Sequence, residues 1–319
     1  MLKKTLLVTV SLAVSLSAQT GPHLAARLSP VPLWPQNGDV SHLPNGHYVF
    51  YDPPSGEYVV YYAESTDTSI AAGPVVLRFG THALVDPTIT TVITSNGKGA
   101  IHYAYEVSNG TYSRQAIQRI SLLVASDSSL RASQPNWTSS LGNSNGSDIT
   151  APRADLSTVD WVSNTPAQTI APGRKLSGFL VDSILLPGFT TMLFRGATQS
   201  QEYSPEAIAS LPSDIRDQIT RVFTAAWDVK SRLVLGPRFL KGAPQSDIAQ
   251  NFLLGIQSLI RERQLDSNAP FVQSVVTLLS AQLESGGPVV INPNGIAFDK
   301  AKPGLESTVA NALQIALAE

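Results

Sequence analysis

Three glutamates lie on or beside segments whose composition is typical of β-strands: Glu57, Glu64 and Glu106. Glycoside hydrolysis needs two carboxyl groups, one to protonate the leaving oxygen and one to act as base or nucleophile. These glutamates are therefore the candidate catalytic residues of a polymer hydrolase. Because Glu57 and Glu64 are an odd number of positions apart, a regular strand directs them to opposite faces. Glutamates on a solvated strand face account for the same pattern.

Tyrosines are concentrated early in the chain, with eight of the nine falling between Tyr48 and Tyr112. Alternation along a strand places Tyr58 and Tyr62 on one face, and Tyr103 and Tyr105 on one face of another strand. A row of exposed tyrosines forms a flat amphipathic surface suited to sugar rings or to a protein partner. These four are the candidate ligand-binding residues. The alternative is that they form cross-strand pairs and close the core.

Two other motifs resemble catalytic or metal sites but lack the neighbouring residues that such sites need. Residues 142–146 read Gly-Asn-Ser-Asn-Gly, the pattern of a serine hydrolase elbow, but they lie in a polar stretch and every histidine precedes them. That chemistry needs a strand-to-helix turn and a later histidine in the hydrolases that use it. His42 and His47 are close in sequence, yet no third ligand is placed convincingly beside them. The sequence predicts no metal and no cofactor.

The N-terminal residues match a secretory signal peptide. Lys3 and Lys4 precede an uncharged apolar stretch over residues 5–16, and small residues follow it. We expect a signal peptide over residues 1–18, with cleavage after Ser17 or Ala18. This predicts export to the periplasm, the cell surface or the extracellular space. The remaining sequence has no apolar stretch of membrane-spanning length, so no membrane span is expected after cleavage.

Composition excludes several classes of partner and chemistry. The sequence has 22 basic and 24 acidic residues, and removing Lys3 and Lys4 leaves 20 against 24, a net charge of −4. Nucleic-acid binding needs clustered Lys and Arg to neutralise phosphates, so no nucleic-acid partner is expected. Cysteine is absent, which excludes disulfides, thiol catalysis and Cys-ligated zinc.

The first part of the chain has the pattern of a β-domain. After a Pro-rich lead over residues 19–46, short Val-, Ile-, Tyr- and Thr-rich runs alternate with Gly, Pro, Asn and Asp up to about residue 200. Asn96-Gly97 and Asn109-Gly110 are turn signals. Many short strands without intervening helices predict an antiparallel β-sandwich over residues 47–200, immunoglobulin-like or jelly-roll-like. The Ser- and Asn-rich residues 131–152 are predicted to form a loop.

The period of the apolar residues changes near residue 204. Residues 204–319 are predicted to be an α-helical region of three to five helices, and the whole chain is placed in the α+β class. Ser204-Pro205 has the composition of a helix start, Ser246 that of a second, and a third helix begins near Ala269. The last is expected over residues 305–317. The apolar stripes of these helices indicate a small bundle, either independent or packed on the sandwich.

Several segments of the β-domain resemble those of a known group of proteins. They are residues 103–110, 115–117, 172–179 and 186–189. Together they are similar to segments of uncharacterised exported bacterial β-sandwich proteins, over about residues 45–200. The resemblance implies the sandwich fold and assigns no activity or site residue.

Two functional hypotheses follow from the sequence. The first is an exported non-enzymatic protein with a binding or structural role, whose partner is a carbohydrate or another cell-envelope protein. The second is a secreted hydrolase that acts on an extracellular polymer through paired carboxylates. Two carboxyl groups facing each other across a cleft would favour the hydrolase, and an open tyrosine surface would favour binding.

Overall fold

A computed structural model describes most of the chain beyond residue 45. The described residues are 33–35, 46–63, 74–80, 82–96, 99–126, 129–143, 156–197, 209, 211–222, 229–285 and 288–318. The expected signal peptide, most of the Pro-rich lead, Glu64, His42 and Ser144 lie outside them.

The strands of the described residues form three antiparallel sheets. Their bounds in chain order are β1 Tyr48–Asp52, β2 Glu57–Ala63, β3 Pro74–Gly80, β4 Pro87–Ser95, β5 Ile101–Asn109, β6 Ile117–Ala125, β7 Arg131–Ser133, β8 Trp137–Asn143, β9 Leu156–Ser163, β10 Lys175–Ser183, β11 Leu186–Gly196 and β12 Lys230–Phe239. Sheet 1 has the order β1-β2-β3, sheet 2 the order β4-β5-β10-β7, and sheet 3 the order β12-β11-β6-β9-β8. The predicted β-rich half is confirmed.

Sheets 2 and 3 pack face to face and form a sandwich. Along β5 every second residue is buried, which is the alternation expected of a strand with one face in the core. The indole of Trp161 on sheet 3 lies edge-on to two rings of sheet 2, with centroids 6.4 Å from Tyr105 and 5.7 Å from Phe179. Trp137 on β8 also contacts Phe179, with ring centroids 5.2 Å apart. These aromatic contacts join the two layers.

Three strands lie where the sequence did not predict them. Strands β7 and β8 occupy much of residues 131–152, so the loop prediction is wrong there. β8 is the edge strand of sheet 3, and it buries Trp137 while Thr138 and Ser140 face outward. The composition of a polar edge strand that buries one apolar residue resembles the composition of a loop. Strand β12 lies inside the predicted helical region, pairs with β11, and buries Val234 and Leu235.

The C-terminal half contributes helices to the same core. Within the described residues, the α-helices are α1 Ser213–Val222, α2 Gln245–Arg261, α3 Pro270–Glu284 and α4 Leu305–Leu317. The bounds of α4 are those predicted from its apolar spacing. Buried residues of α2, α3 and α4 belong to the hydrophobic cluster that fills the sandwich. The helices therefore pack on the sandwich as one unit, which was one of the two arrangements considered.

Helix α4 covers an edge of the sandwich. Asn311 Nδ2 donates to the carbonyl of Ile93 at 2.7 Å, and Thr308 Oγ1 donates to the carbonyl of Thr91 at 3.4 Å. Both carbonyls belong to β4, the edge strand of sheet 2. Uncovered edges present free backbone groups that promote pairing with other chains. Side chains of α4 bind part of that edge instead.

Sheet 1 has its own small core. Val49, Val60 and Phe79 pack against Leu211, Ile215 and Ile219, the last two on α1, in a cluster separate from the sandwich core. At the start of α1, Asp214 bonds His47 Nδ1 at 2.7 Å, which links the helix to the residue before β1.

Among the described helices, none combines the length and apolar composition needed to cross a membrane.

Helix α2 approaches sheet 3 closely at Gly255. The Asn251 side chain bonds both backbone groups of Phe189, accepting from its N–H at 2.7 Å and donating to its carbonyl at 2.9 Å. The Phe189 ring lies on Phe252, with centroids 5.6 Å apart. A Cβ atom at Gly255 would stand 2.1 Å from Cδ2 of Phe189. Only glycine permits this approach.

We expect Gly255→Ala to destabilise the fold by about 1–3 kcal/mol, because helix and strand must separate to admit the methyl group. That loss exceeds the gain of about 1 kcal/mol in helix propensity. Urea denaturation with a constant m-value measures it. Gly295→Ala is the matched control, since its Cβ would lie 3.4 Å from Leu278, an ordinary contact. Equal stability of the two variants would contradict the proposed close packing.

Candidate functional site

The carboxylate of Glu57 belongs to an ion cluster at the hairpin of sheet 1. Arg78 Nη1 donates to Asp52 Oδ2 at 2.8 Å and to Glu57 Oε2 at 2.9 Å. Ser55 Oγ donates to the same oxygen of Asp52 at 2.8 Å. Hydrogen bonding from Arg78, opposed by burial and assisted by Ser55, holds the pKa of Asp52 below its usual value. The cluster therefore fixes the β1–β2 hairpin to β3.

Glu106 lies on the outer face of sheet 2, on the strand that carries Tyr105. Ser177 Oγ donates to its Oε2 at 2.6 Å, and Lys175 Nζ to its Oε1 at 3.0 Å. These hydrogen bonds, that of Ser177 first, lower the pKa of Glu106. A general acid requires a raised pKa. No observation on the described residues favours the hydrolase hypothesis, which remains a sequence-based prediction.

Tyr103 and Tyr105 are placed in the sandwich core, with exposures of 0% and 1%. Tyr103 Oη donates to the carbonyl of Leu185 at 2.7 Å, and Tyr105 Oη to that of Leu235 at 3.1 Å. Burial raises the pKa of both phenols well above their usual range. The expectation of an exposed surface is wrong for these two residues. Alternation places them on one face, but that face is the inner one.

Tyr58 and Tyr62 share a face of sheet 1 and are half-buried. Both pack against the cluster that α1 covers, so they form no open row. The ring of Tyr58 lies 5.2 Å from that of Tyr51, and burial raises its pKa. The ring of Tyr62 lies 6.2 Å from His47. These tyrosines complete the small core of sheet 1, as the alternative hypothesis stated.

The described histidines have separate surroundings. His82 Nδ1 lies 2.6 Å from the buried carbonyl of Gly196, and His102 Nδ1 lies 2.5 Å from Asp182 Oδ1 on the outer face of sheet 2. His47 binds Asp214. Within the described part of the chain, no group of three or more His, Asp or Glu side chains is arranged to hold a metal ion.

One buried asparagine organises two turns at an end of the sandwich. Asn109 is 2% exposed, and its Nδ2 donates to the carbonyls of Gln115 at 2.8 Å and Ile170 at 3.0 Å. Its Oδ1 accepts from the N–H of Asp86 at 3.1 Å and from Ser113 Oγ. The side chain thus bonds three separate stretches of backbone. The sequence marked Asn109 only as a turn residue.

The first of these turns, residues 110–113, presents Tyr112 to solvent. Tyr112 is 97% exposed, although the turn beneath it is fixed. The N–H of Gly110 donates to the carbonyl of Asp86 at 2.8 Å, and that of Ser113 to the carbonyl of Gly110 at 3.1 Å. We call this the Tyr112 turn. A fully exposed aromatic ring on an ordered turn is the surface feature that strand periodicity could not detect.

The second turn, residues 171–174, lies against the first and is called the Arg174 turn. The N–H of Gly173 donates to the carbonyl of Asn109 at 2.8 Å, and the N–H of Asn109 donates to the carbonyl of Arg174 at 2.9 Å. A Cβ atom at Gly173 would lie 3.3 Å from Cγ2 of Thr111. Tyr112 and Arg174 therefore stand on neighbouring turns joined by backbone hydrogen bonds.

A pocket of about 230 Å³ opens beside the Arg174 turn. Two cationic and several polar side chains contribute to its lining. The residues are Asn136, Ala167, Gln168, Thr169, Ile170, Arg174, Lys175 and Leu176. We call it the Arg174 pocket. Through Lys175 and its partner Glu106 it adjoins the outer face of sheet 2, where Val92 and Leu180 are exposed on either side of Ala104.

Comparisons with known proteins bear on the fold alone. No family model matches the sequence, and no curated protein matches it. One solved structure that matches is an uncharacterised protein from Nocardia farcinica with an immunoglobulin-like fold. This neighbour, like the proteins that the sequence resembles, is uncharacterised. Identity is 13% over 46% of this chain and 96% of the other, with a TM-score of 0.25, so sheet topology carries the fold argument.

We expect Asn109→Ala to destabilise the protein by about 2–4 kcal/mol, since it removes the buried hydrogen bonds that join Asn109 to the backbone of Asp86, Gln115 and Ile170 and to the Ser113 hydroxyl. Asn109→Asp is expected to be similarly harmful, because a carboxylate cannot donate to the two carbonyls. Thermal and urea unfolding measure the loss. The exposed Asn268→Ala serves as control. A destabilisation no greater than that of the control would show that Asn109 does not hold the turns.

The Asp52–Arg78 pair predicts a stability change in acid. Because the pKa of Asp52 is lowered in the folded protein, its contribution is complete above the unfolded pKa and is lost as the pH falls below about 4. Arg78→Met should raise the pKa of Asp52 towards its ordinary value, as measured by carboxyl NMR titration. Arg261→Met is the control. An unchanged Asp52 pKa in Arg78→Met would refute the assignment.

Proposed function

We propose that this chain is an exported, non-enzymatic binding protein that holds carbohydrate on the surface formed by the Tyr112 turn and the Arg174 pocket. The signal-like residues 1–18 support export. The observation that carries the binding role is the 97% exposure of Tyr112 on a turn fixed from below by Asn109.

The exposed aromatic ring would bury apolar area against a sugar that it now exposes to water. An aromatic ring left in solvent keeps apolar area that it would otherwise bury, so a fully exposed one on an ordered turn indicates a contact surface. Both faces of the ring are open to the C–H face of a sugar. The turn is held by backbone hydrogen bonds, so binding orders few groups, and preorganisation of this kind increases affinity.

Polar side chains of the pocket beside the neighbouring Arg174 turn supply the second requirement for carbohydrate recognition. Sugars present hydroxyl groups that need hydrogen-bonding partners once they are desolvated. The Arg174 pocket contributes two side-chain amides, those of Asn136 and Gln168, and the hydroxyl of Thr169. A concave site with polar groups beside an aromatic surface is the arrangement expected for a small saccharide.

The experiment is a glycan array probed with the protein expressed from the whole sequence. We expect binding to a polysaccharide, and a loss of about tenfold in affinity for Tyr112→Ala, since truncating an aromatic anchor costs more than about 1 kcal/mol. Tyr112→Phe should retain binding because the ring remains. Affinity electrophoresis in gels containing the glycan measures the change.

The matched control is Leu254→Ala, which removes a 46% exposed apolar side chain from α2. It should leave binding unchanged. Absence of binding to every glycan on the array, or equal affinity of Tyr112→Ala and the unmodified protein, would overturn the proposal. If the chain binds no glycan but binds a purified cell-envelope protein, the partner belongs to the protein class and not to the carbohydrates.

A further inference from the structure

We infer that the Arg174 pocket binds the carboxylate of a uronic-acid residue, so that the ligand is an acidic polysaccharide. The inference rests on the proposed carbohydrate-binding function and names its ligand class. Arg174 is the ion-pair partner, and Tyr112 supplies the neighbouring stacking surface. The pocket's charge balance, free amides and size lead to this assignment.

Arg174 differs from three other described arginines in having no acidic partner among the described residues. Arg119 Nη2 bonds Asp160 at 3.2 Å, and Arg232 Nη2 bonds Asp86 at 3.0 Å. Arg78 binds Asp52 and Glu57. Across the described ranges of the chain, the Arg174 guanidinium makes no hydrogen bond or ion pair to a side chain or to a carbonyl. None of the described residues accepts from its five N–H donors, and Arg174 is exposed.

The pocket carries one uncompensated positive charge. Lys175 Nζ is occupied by Glu106 Oε1 at 3.0 Å, which balances that cation. No Asp or Glu is present among the described residues that line the pocket. A ligand that pairs with this exposed cation requires one anionic group, and a planar guanidinium binds a carboxylate through two parallel hydrogen bonds. One carboxylate on each sugar ring meets that requirement.

Two amides beside Arg174 can bind the hydroxyl groups of the same sugar. The side-chain amide of Asn136 makes no hydrogen bond within the part of the chain that the structure describes, although the backbone of Asn136 is bonded to Gln134 and Asn164. Gln168 Oε1 is buried and has no partner among the described residues. An acceptor left in this state is costly, so a side-chain rotation that brings it to a ligand hydroxyl in the pocket is favoured.

The size of the pocket fits one sugar ring. At about 230 Å³ it is smaller than the roughly 300–1,000 Å³ of sites that enclose drug-sized ligands. A polysaccharide therefore inserts one residue and continues over the exposed surface. Because the whole sequence has a net charge of −2, general attraction does not draw a polyanion to the protein. Recognition of an acid has to come from the local cation.

The test uses two polymers with the same backbone. Polygalacturonate carries one carboxylate per residue, and its methyl ester carries none. We expect the protein to bind polygalacturonate about tenfold more tightly than the ester, the discrimination expected of one charge-assisted pair at about 1.4 kcal/mol. Alginate, a second polyuronate, should bind as polygalacturonate does. Added salt should weaken the preference, because an exposed ion pair is screened.

Variants separate the inference from the proposed function. Arg174→Gln should reduce polygalacturonate affinity about tenfold, to that of the ester, and leave ester binding unchanged. Arg174→Lys should restore part of the loss, since lysine keeps the charge without the fork. Tyr112→Ala should weaken both polymers. Arg261→Gln, an exposed arginine on α2, is the matched control, and thermal unfolding checks that each variant is folded.

Each outcome has a defined meaning. Equal binding of polygalacturonate and its ester, or no effect of Arg174→Gln, overturns the acidic ligand while the carbohydrate-binding role stands on Tyr112. Binding to dextran sulfate as tight as to polygalacturonate overturns the carboxylate and indicates general attraction to anions. No binding to any of these polymers or to other glycans overturns both the inference and the proposed function.

Discussion

The geometry of the surface depends on the buried side chain of Asn109. Its amide bonds backbone groups of residues distant in the sequence, the carbonyls of Gln115 and Ile170 and the N–H of Asp86. A buried polar network of this kind stabilises only when every member is satisfied. Here the network fixes the turn that carries Tyr112 against the turn that carries Arg174. A rigid pair of turns at the end of a sandwich is how antiparallel β folds present binding residues without a deep cleft.

The sandwich supports these turns, and the C-terminal half completes it. Strand β12 extends sheet 3, α2 packs on Phe189, and α4 bonds the exposed backbone of β4. Removing the C-terminal half would expose two strand edges and the ring of Phe189, which favours aggregation. The helices therefore have a structural role in the described molecule, and the surface with Tyr112 is left to the loops. This structural role of the helices explains why their apolar stripes are buried.

Sequence patterns predicted the strands and helices better than they predicted which faces of those elements are buried. The alternation along β5 and the apolar spacing of α4 were correct because each depends on neighbours within one element. The exposure of Tyr103 and Tyr105 was wrong because alternation defines two faces and does not say which one is covered. Tyr105 is held by the carbonyl of Leu235, 130 residues away. No local signal could indicate that contact, nor the one between Asn109 and Ile170.

The balance of charges at three carboxylates differs from that at Arg174. Asp52, Glu57 and Glu106 each face a cation, and the hydrogen bonds that lower the pKa of Asp52 and Glu106 keep those two carboxylates ionised. Such groups neither donate a proton at neutral pH nor require a ligand. Arg174 is the opposite case, an exposed guanidinium at a concave surface with no acidic partner among the described residues. We propose that an anionic group of a ligand pairs with this cation, in a protein whose whole sequence has a net charge of −2.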